Sequence, residues 1–269
     1  GRMVDEILHG TTVAGNAILE HKGARVGLIT TRGFRDVLEI RTLRMPRLYD
    51  MGWTKPAPLV ERYLRKVVDE RIDAHGAVER ALDPKDAERA VDALLAEKVE
   101  AIAVCLLNSF TNPAHELMIG ELIRKKAPTM PTSISCEVLP EIKEYERTST
   151  TVVNAYVMPI VAQYLRALRK GLDDSGVPAR LLLMQSNGGL TTDTAAAERP
   201  MNIIESGPAG GVVGAQALAR ATNLPRIITF DMGGTTAKAS MVEDGEVTRT
   251  AEYSVGAGIM IGSRLLTGA

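Results

Sequence analysis

Apolar residues follow two alternating patterns along this chain. Residues 26–29 and 101–107 are uninterrupted apolar runs of strand length, which is typical of strands buried on both faces. Residues 87–98 and 114–126 place apolar side chains at helical spacing, each shortly after an Asp-Pro or Asn-Pro pair that favours a helix start. The alternation of strand and helix predicts an α/β fold with a parallel or mixed sheet and helices packed on it.

The longest predicted element is a helix over residues 141–172, and Pro159 predicts that it is broken or kinked near its middle. Residues 65–73 and 78–82 resemble the two strands of a hairpin. The shorter predicted helices are residues 11–22, 34–40 and 212–221, and the remaining predicted strands are residues 132–138, 180–185, 226–230 and 238–242.

Composition and charge narrow the class of protein. The chain has 269 residues with 32 basic and 33 acidic side chains, and this balance argues against a nucleic-acid binder. Cys105 and Cys136 lie in apolar or β-branched runs, so we expect buried thiols of a cytoplasmic protein. The sequence has neither a signal-peptide pattern nor an apolar run of about 18 residues, and no membrane association is expected.

The most informative segment is TFDMGGTTAK, in which a strand leads into an acidic residue, two glycines and two hydroxyls. Gly233 and Gly234 would let backbone N–H groups turn toward an anion. Asp231 is placed to hold a magnesium ion, and Thr235 and Thr236 to donate hydroxyls to phosphate oxygens. The alternative is an ordinary Gly-Gly hairpin with a polar turn, because so short a motif depends on its structural context.

Two further glycine-rich turns follow predicted strands or open predicted helices, at residues 186–189 and 206–211. Gly207, Gly210 and Gly211 at a helix start are suited to support a phosphate or to let adenosine lie against bare backbone. The alternative is that these glycines only pack the helix onto the sheet.

His9, Thr11 and Thr12 immediately precede the first predicted helix. An imidazole and two hydroxyls at a helix N-terminus can contact a substrate or a phosphate, and the helix dipole favours an anion there. The alternative for His9 is a structural, hydrogen-bonded residue.

Other chemistry-bearing residues have simpler interpretations. Glu144, Glu146 and Arg147 on the long helix are interpreted as a solvated face. The sequence contains no P-loop, no His-Glu-x-x-His site and no zinc-type cysteine spacing.

Five ordered motifs, HGTTVAGNAILE, TTRGFRDVLEI, QSNGG, SGPAGG and DMGGTT, together resemble the hydantoinase/oxoprolinase family over essentially the whole chain. This family includes N-methylhydantoinase A, 5-oxoprolinase and acetone-carboxylase-like proteins. The resemblance implies the actin-like ATPase fold, in which two related ribonuclease-H-like domains hold ATP between them. It also implies that residues 1–200 belong to the N-terminal family domain, that residues 201–269 begin the hydantoinase A domain, and that the chain is an internal fragment truncated at both ends.

The resemblance assigns roles to the motif residues. Asp231 would bind Mg²⁺ or orient water, and His9, Thr11 and Thr12 would face the substrate or phosphate. Lys238 stands where many members carry Asp. The residues expected to bind ATP are Gly207, Gly210, Gly211, Gly233, Gly234, Thr235, Thr236 and Lys238.

The function implied is ATP-dependent hydrolysis of a cyclic amide or imide, of the hydantoin or 5-oxoproline type, through phosphorylation of a substrate carbonyl oxygen. The chain would belong to the A-type subunit of an enzyme that has a B-type partner subunit. Three alternatives remain open: a carboxylase subunit acting on a ketone-like substrate, a non-catalytic nucleotide-binding or subunit-interaction fragment, and a sugar kinase or chaperone ATPase.

Overall fold

The computed structural model describes residues 4–42, 50–233, 237–255 and 259–266. The chain divides into two compact units. The first unit is built mainly from Gly1–Lys22 and Ile160–Tyr253, and the second mainly from Gly23–Pro159. The predicted boundary between family domains near residue 200 stays a prediction.

Helices and strands alternate along the described residues. The helices are α1 Val13–Leu19, α2 Val37–Ile40, α3 Pro84–Ala96, α4 Ala114–Lys126, α5 Ser135–Val138, α6 Glu144–Asp174, α7 Asp193–Glu198 and α8 Ser206–Ala221. The strands are β1 Glu6–His9, β2 Val26–Thr31, β3 Arg65–Val68, β4 Arg71–Ile72, β5 Val78–Arg80, β6 Ala101–Cys105, β7 Thr132–Ile134, β8 Arg180–Met184, β9 Leu190–Thr192, β10 Arg226–Met232, β11 Ala237–Glu243, β12 Glu246–Val247, β13 Arg249–Val255 and β14 Ile259–Leu266.

The second unit contains a four-stranded sheet in the order β3-β2-β6-β7, and all its pairings are parallel. Every residue of β2 and of β6 is buried, which confirms the prediction drawn from their uninterrupted apolar runs. Helix α3 begins after Asp83, whose side chain accepts a hydrogen bond from the Lys85 N–H, with Pro84 in the first turn. The predicted hairpin is confirmed at its tip, where β4 pairs with β5, while β3 joins the parallel sheet.

The first unit contains a mixed sheet and a meander. Strand β1 pairs in parallel with β8, and β9 pairs antiparallel with β8. Strands β10, β11 and β12 follow one another as antiparallel neighbours, and Gly245 turns the chain between the last two at φ 77°. A positive φ of this kind favours glycine, which is common in tight turns between antiparallel strands. The predicted α/β class with mixed sheets is confirmed.

Three predicted elements differ from the structure. Helix α6 continues through Pro159 rather than breaking there, because Val152, Val153 and Val157 before it and Val161 after it are all buried. Helix α8 starts at Ser206, six residues before the predicted start at residue 212.

The predicted strand over residues 132–138 was too long, because the chain turns into α5 after Ile134. The buried carboxylate of Glu116 causes this turn. It accepts hydrogen bonds from Ser135 Oγ at 2.6 Å and from the Cys136 N–H at 2.8 Å. Both cysteines are free thiols, and the prediction of burial is confirmed for Cys105, whereas Cys136 is only partly buried.

The interpretation of Arg147 as part of a solvated face was wrong. Its side chain is fully buried, and Nη1 donates to the carbonyl of Leu106 at 2.8 Å and to Ser135 Oγ at 2.9 Å. The buried Glu116 carboxylate lies 4.0 Å from the same nitrogen. Arg147 therefore ties α6 to the carboxyl end of β6, because burying a charge requires a partner and hydrogen bonds.

Candidate functional site

The hairpin of β10 and β11 carries the predicted phosphate motif. Asp231 lies directly across from Lys238 in the antiparallel register, and Thr229 lies across from Ser240. Directly opposite residues of an antiparallel pair share one face, so these four side chains lie on the same side of the hairpin. Among the predicted cradle residues, Gly234, Thr235 and Thr236 lie outside the described residues.

Helix α8 packs against this hairpin and leaves a cavity of about 430 Å³ beside it. Gly211 of α8 lines the cavity together with Asp231, Lys238 and Ser240 of the hairpin. A Cβ built on Gly211 would meet no atom within 4 Å, so the missing side chain leaves open space rather than relieving a clash. Three of the predicted site residues are therefore brought together at one cavity.

Lys238 is held by an ion pair with Glu205, the residue before α8. The ammonium side chain is 20% exposed and the carboxylate side chain 12% exposed. Burial lowers the pKa of Lys238 from its ordinary value, and the facing carboxylate favours the charged ammonium. The Glu205 N–H donates to Ser186 Oγ at 3.0 Å, so the QSNGG turn fixes the backbone from which Glu205 projects.

The loop before α1 is joined to the start of α8. Ser206 Oγ accepts a hydrogen bond from the Thr11 N–H at 2.9 Å and donates one to the Thr11 carbonyl at 2.8 Å. A Cβ on Gly10 would lie 3.4 Å from Gly207 Cα, and one on Gly207 would lie 3.6 Å from Thr12 Cγ2. The loop before α1 and the start of α8 are therefore in van der Waals contact at these two glycines.

His9 lies in the same unit with its ring against Tyr164 of α6. Its Nε2 is 2.6 Å from the Tyr164 hydroxyl, and the ring centroids are 5.9 Å apart in a stacked arrangement. Burial lowers the pKa of His9 from its ordinary value, which favours the neutral imidazole. This geometry orients the ring of His9.

Gly210 and Gly233 complete the described part of the predicted site. Gly210 lies over Met184 of β8, 3.8 Å from its Cε and Cγ if a Cβ is built. Gly233 follows β10 and has nothing within 4 Å of a built Cβ. The structure does not assign either residue to the lining of the cavity.

Within the described ranges, no group of three or more His, Cys, Asp or Glu side chains has the geometry of a metal site. Asp231 is an exposed carboxylate at the edge of the cavity. This fits magnesium in a nucleotide site, where one or two carboxylates act together with phosphate oxygens and water rather than as a protein cage.

Sequence reasoning missed Glu205, Ser186 and Ser206. Both serines stand inside motifs that were recognised for their glycines, but no role was given to their hydroxyls. A lone glutamate before a helix carries no signal of its own. The one available signal was Lys238 itself, because a lysine that becomes partly buried needs a carboxylate partner.

The sheets, flanking helices and glycine hairpin of this chain are consistent with the actin-like ATPase fold, a class of nucleotide-using proteins. Residues 1–127 match the hydantoinase/oxoprolinase N-terminal region, and residues 147–267 match hydantoinase/oxoprolinase. The chain belongs to the hydantoinase/oxoprolinase family.

Known proteins resemble it along nearly its whole length. The uncharacterized protein MJ0964 of Methanocaldococcus jannaschii is 40% identical over 98% of this chain and 39% of its own length. The caprolactamase subunit alpha of Pseudomonas jessenii is 35% identical over 90% of this chain and 35% of its own length. The chain thus spans less than two fifths of each of these relatives.

Solved structures show the same likeness. The crystal structure of ATP-dependent caprolactamase from Pseudomonas jessenii matches with a TM-score of 0.89 and 33% identity, over 98% of this chain and 38% of that one. The nucleotide-free structure of acetone carboxylase matches with a TM-score of 0.86 and 27% identity, over 97% of this chain and 38% of that one. In the described part of this chain, no helix has the length and apolar character needed to cross a membrane.

Proposed function

We propose that the protein containing this chain hydrolyses a cyclic amide or imide at the expense of ATP. Phosphoryl transfer to the ring carbonyl oxygen releases ADP and makes the ring carbon more electrophilic. Water then adds to this carbon and the ring C–N bond breaks, which leaves a free amine and an acyl phosphate. A second water hydrolyses the acyl phosphate to a carboxylate and inorganic phosphate. The family and the similarity to an ATP-dependent caprolactamase support this class of reaction. Hydantoins, 5-oxoproline and lactams are the substrates that we propose to test.

The observation that carries the proposal is the cavity between α8 and the hairpin. It combines a carboxylate at Asp231, an ammonium at Lys238, a hydroxyl at Ser240 and bare backbone at Gly211. Phosphoryl transfer depends mainly on positioning and charge stabilisation, so this set of groups fits it without a strong nucleophile.

We assign the phosphate end of ATP to this cavity. Magnesium, held by Asp231 and phosphate oxygens, would neutralise charge on the transferring group. Lys238 adds a positive charge opposite Asp231, and Gly233, Gly234, Thr235 and Thr236 complete the cradle in this proposal.

Residues on the neighbouring helix and loop complete the proposed site. We assign Gly207 and Gly210, at the start of α8, to the nucleotide side of the site, and Gly211 leaves open space for the nucleotide. Thr11 and Thr12, on the loop bonded to Ser206, would face the substrate or phosphate. We assign His9 to the same end of the site, with its ring oriented by Tyr164.

The test is a screen for substrate-dependent release of ADP by the full-length protein with its partner subunit. Caprolactam, 5-oxoproline and hydantoin are compared, and the ring-opened product is identified by mass spectrometry. Asp231→Asn keeps the size of the side chain and removes its charge, so it should abolish the stimulated ADP release. Full activity in that variant would remove Asp231 from the mechanism.

A second candidate is an ATP-dependent carboxylase subunit acting on a ketone. The similarity to acetone carboxylase favours it. The same screen separates the two, since ADP release that requires both a ketone and bicarbonate, and yields a carboxylated product, would establish carboxylation in place of hydrolysis.

We further propose a B-type partner subunit and a cytoplasmic location. The Pseudomonas jessenii relative is a caprolactamase subunit alpha, which supports a multi-subunit enzyme. Free thiols at Cys105 and Cys136 fit a reducing compartment. Titration of the 269-residue chain alone with Mg-ATP tests the alternative of a non-catalytic fragment, and affinity equal to that of the full-length protein would show that the described cavity suffices for binding.

A further inference from the structure

Lys238 and Asp231 are cross-strand neighbours on one face of the β10–β11 hairpin. Such pairs have Cβ atoms about 4.5–5.5 Å apart, and oppositely charged side chains in that position attract each other. The ammonium of Lys238 nevertheless pairs with Glu205. The carboxylates of Asp231 and Glu205 could therefore both pair with Lys238, and in the structure the ion pair is formed with Glu205.

We propose that Glu205 is a positioning residue that holds the Lys238 ammonium away from Asp231, and so keeps the Asp231 carboxylate available to a divalent cation. This inference rests on the proposed function, in which Asp231 binds magnesium. It explains how a lysine can stand opposite the metal-binding carboxylate without neutralising it.

Three observations support this role for Glu205. Its carboxylate is only 12% exposed, so an unpaired charge there would be costly and the attraction for Lys238 is weakly screened. Its backbone N–H is fixed on Ser186 Oγ at 3.0 Å. Asp231 is exposed, so water weakens its competing attraction for the same ammonium.

Substitution of Glu205 by glutamine, its neutral isostere, should change the pairing of Lys238. Glu205→Gln removes the charge but keeps the side-chain size and the backbone bond to Ser186. Lys238 then turns to Asp231, the remaining carboxylate on its face of the hairpin. An exposed ion pair changes an equilibrium constant by up to about fivefold, so we expect divalent cations to bind about fivefold more weakly.

The experiment measures binding of Mn²⁺ by electron paramagnetic resonance to the full-length protein, for four variants. Glu205→Gln should weaken binding by about fivefold, whereas Glu205→Asp, which keeps the charge, should stay close to the wild type. In a Lys238→Met background, Glu205→Gln should have no effect, because its action passes through the lysine. A purely structural role of Glu205 would weaken binding equally in both backgrounds, and that result would overturn the proposal.

A crystal structure of the Glu205→Gln variant tests the geometry independently of metal binding. We expect Lys238 Nζ at ion-pair distance from the Asp231 carboxylate, and a lysine that still points to position 205 would overturn the inference. If the wild type binds no Mn²⁺ while the lysine moves as expected, the proposed metal site fails and the positioning role stands.

Discussion

The cavity beside α8 allows a test in which substitutions at two glycines should affect stability equally and nucleotide binding unequally. Gly211 lines this cavity, and Gly214 lies three residues further along the same helix, outside the lining. Both glycines are exposed, and a Cβ built on either meets no atom within 4 Å. Gly214 is therefore a matched control for a substitution at Gly211.

Alanine should stabilise the helix at both positions. Glycine in a helix interior costs roughly 0.5–1 kcal/mol relative to alanine, and neither substitution meets a steric obstacle. For a chain of 269 residues that gain corresponds to an increase in Tm of about 1–4 °C. Thermal unfolding of Gly211→Ala and Gly214→Ala should show the same small increase.

Nucleotide binding should respond only at Gly211. A leucine there would project into the cavity of about 430 Å³ and displace a ligand from Lys238. Loss of one hydrogen bond to a charged group costs roughly 1.5–3 kcal/mol, which is a tenfold to hundredfold loss of affinity. We expect Gly211→Leu to weaken Mg-ATP binding by this factor in isothermal titration of the full-length protein, with Gly214→Leu unchanged. Equal affinity of the two leucine variants would refute the placement of the nucleotide.

Three further predictions concern the fold and His9. A Cβ on Gly23 would lie 2.1 Å from the Tyr156 ring, so Gly23→Ala should destabilise the protein by about 1–3 kcal/mol in urea unfolding, and an unchanged midpoint would contradict this. Arg147→Met leaves the buried Glu116 carboxylate without its cation, so a loss of about 3–5 kcal/mol is expected, and Glu116→Gln combined with Arg147→Met should restore part of it. If the single variant is as stable as the wild type, the charge of Arg147 is not required. Because burial lowers the pKa of His9, the unfolded chain binds this proton more readily, and the contribution of His9 to stability should increase with pH up to about the ordinary value of 6.5 and then level off. Titration of the His9 imidazole by NMR should show a midpoint below 6.5, and a midpoint above it would contradict the prediction.

The sequence predicted those elements whose burial is decided by a local pattern. The apolar runs at residues 26–29 and 101–107 contain buried strands of the parallel sheet, although the second strand ends at Cys105. The hairpin was predicted from two glycines between segments of strand length, and its strands pair as expected. A local sequence pattern is enough to predict an element when its burial does not depend on one particular partner residue.

The misjudged residues depend on partners from distant parts of the chain. Arg147 appeared to be a solvated residue because its neighbours Glu144 and Glu146 are charged, yet Leu106 and Ser135 supply its buried hydrogen bonds. No local pattern encodes those contacts.

The same reason explains why the role of Glu205 was not predicted. Its partner Lys238 lies on a hairpin strand 33 residues later in the chain. The glycines of the site were recognisable because their function is to have no side chain. The charged residues that act with these glycines could be identified only from the folded structure.

A crystal structure of the full-length protein with Mg²⁺ and a non-hydrolysable ATP analogue tests the proposed nucleotide site most directly. We expect the terminal phosphates in the cavity between α8 and the β10–β11 hairpin, with magnesium on Asp231 and Lys238 still paired with Glu205. Phosphates bound at another place in the protein, with this cavity filled only by water, would contradict it.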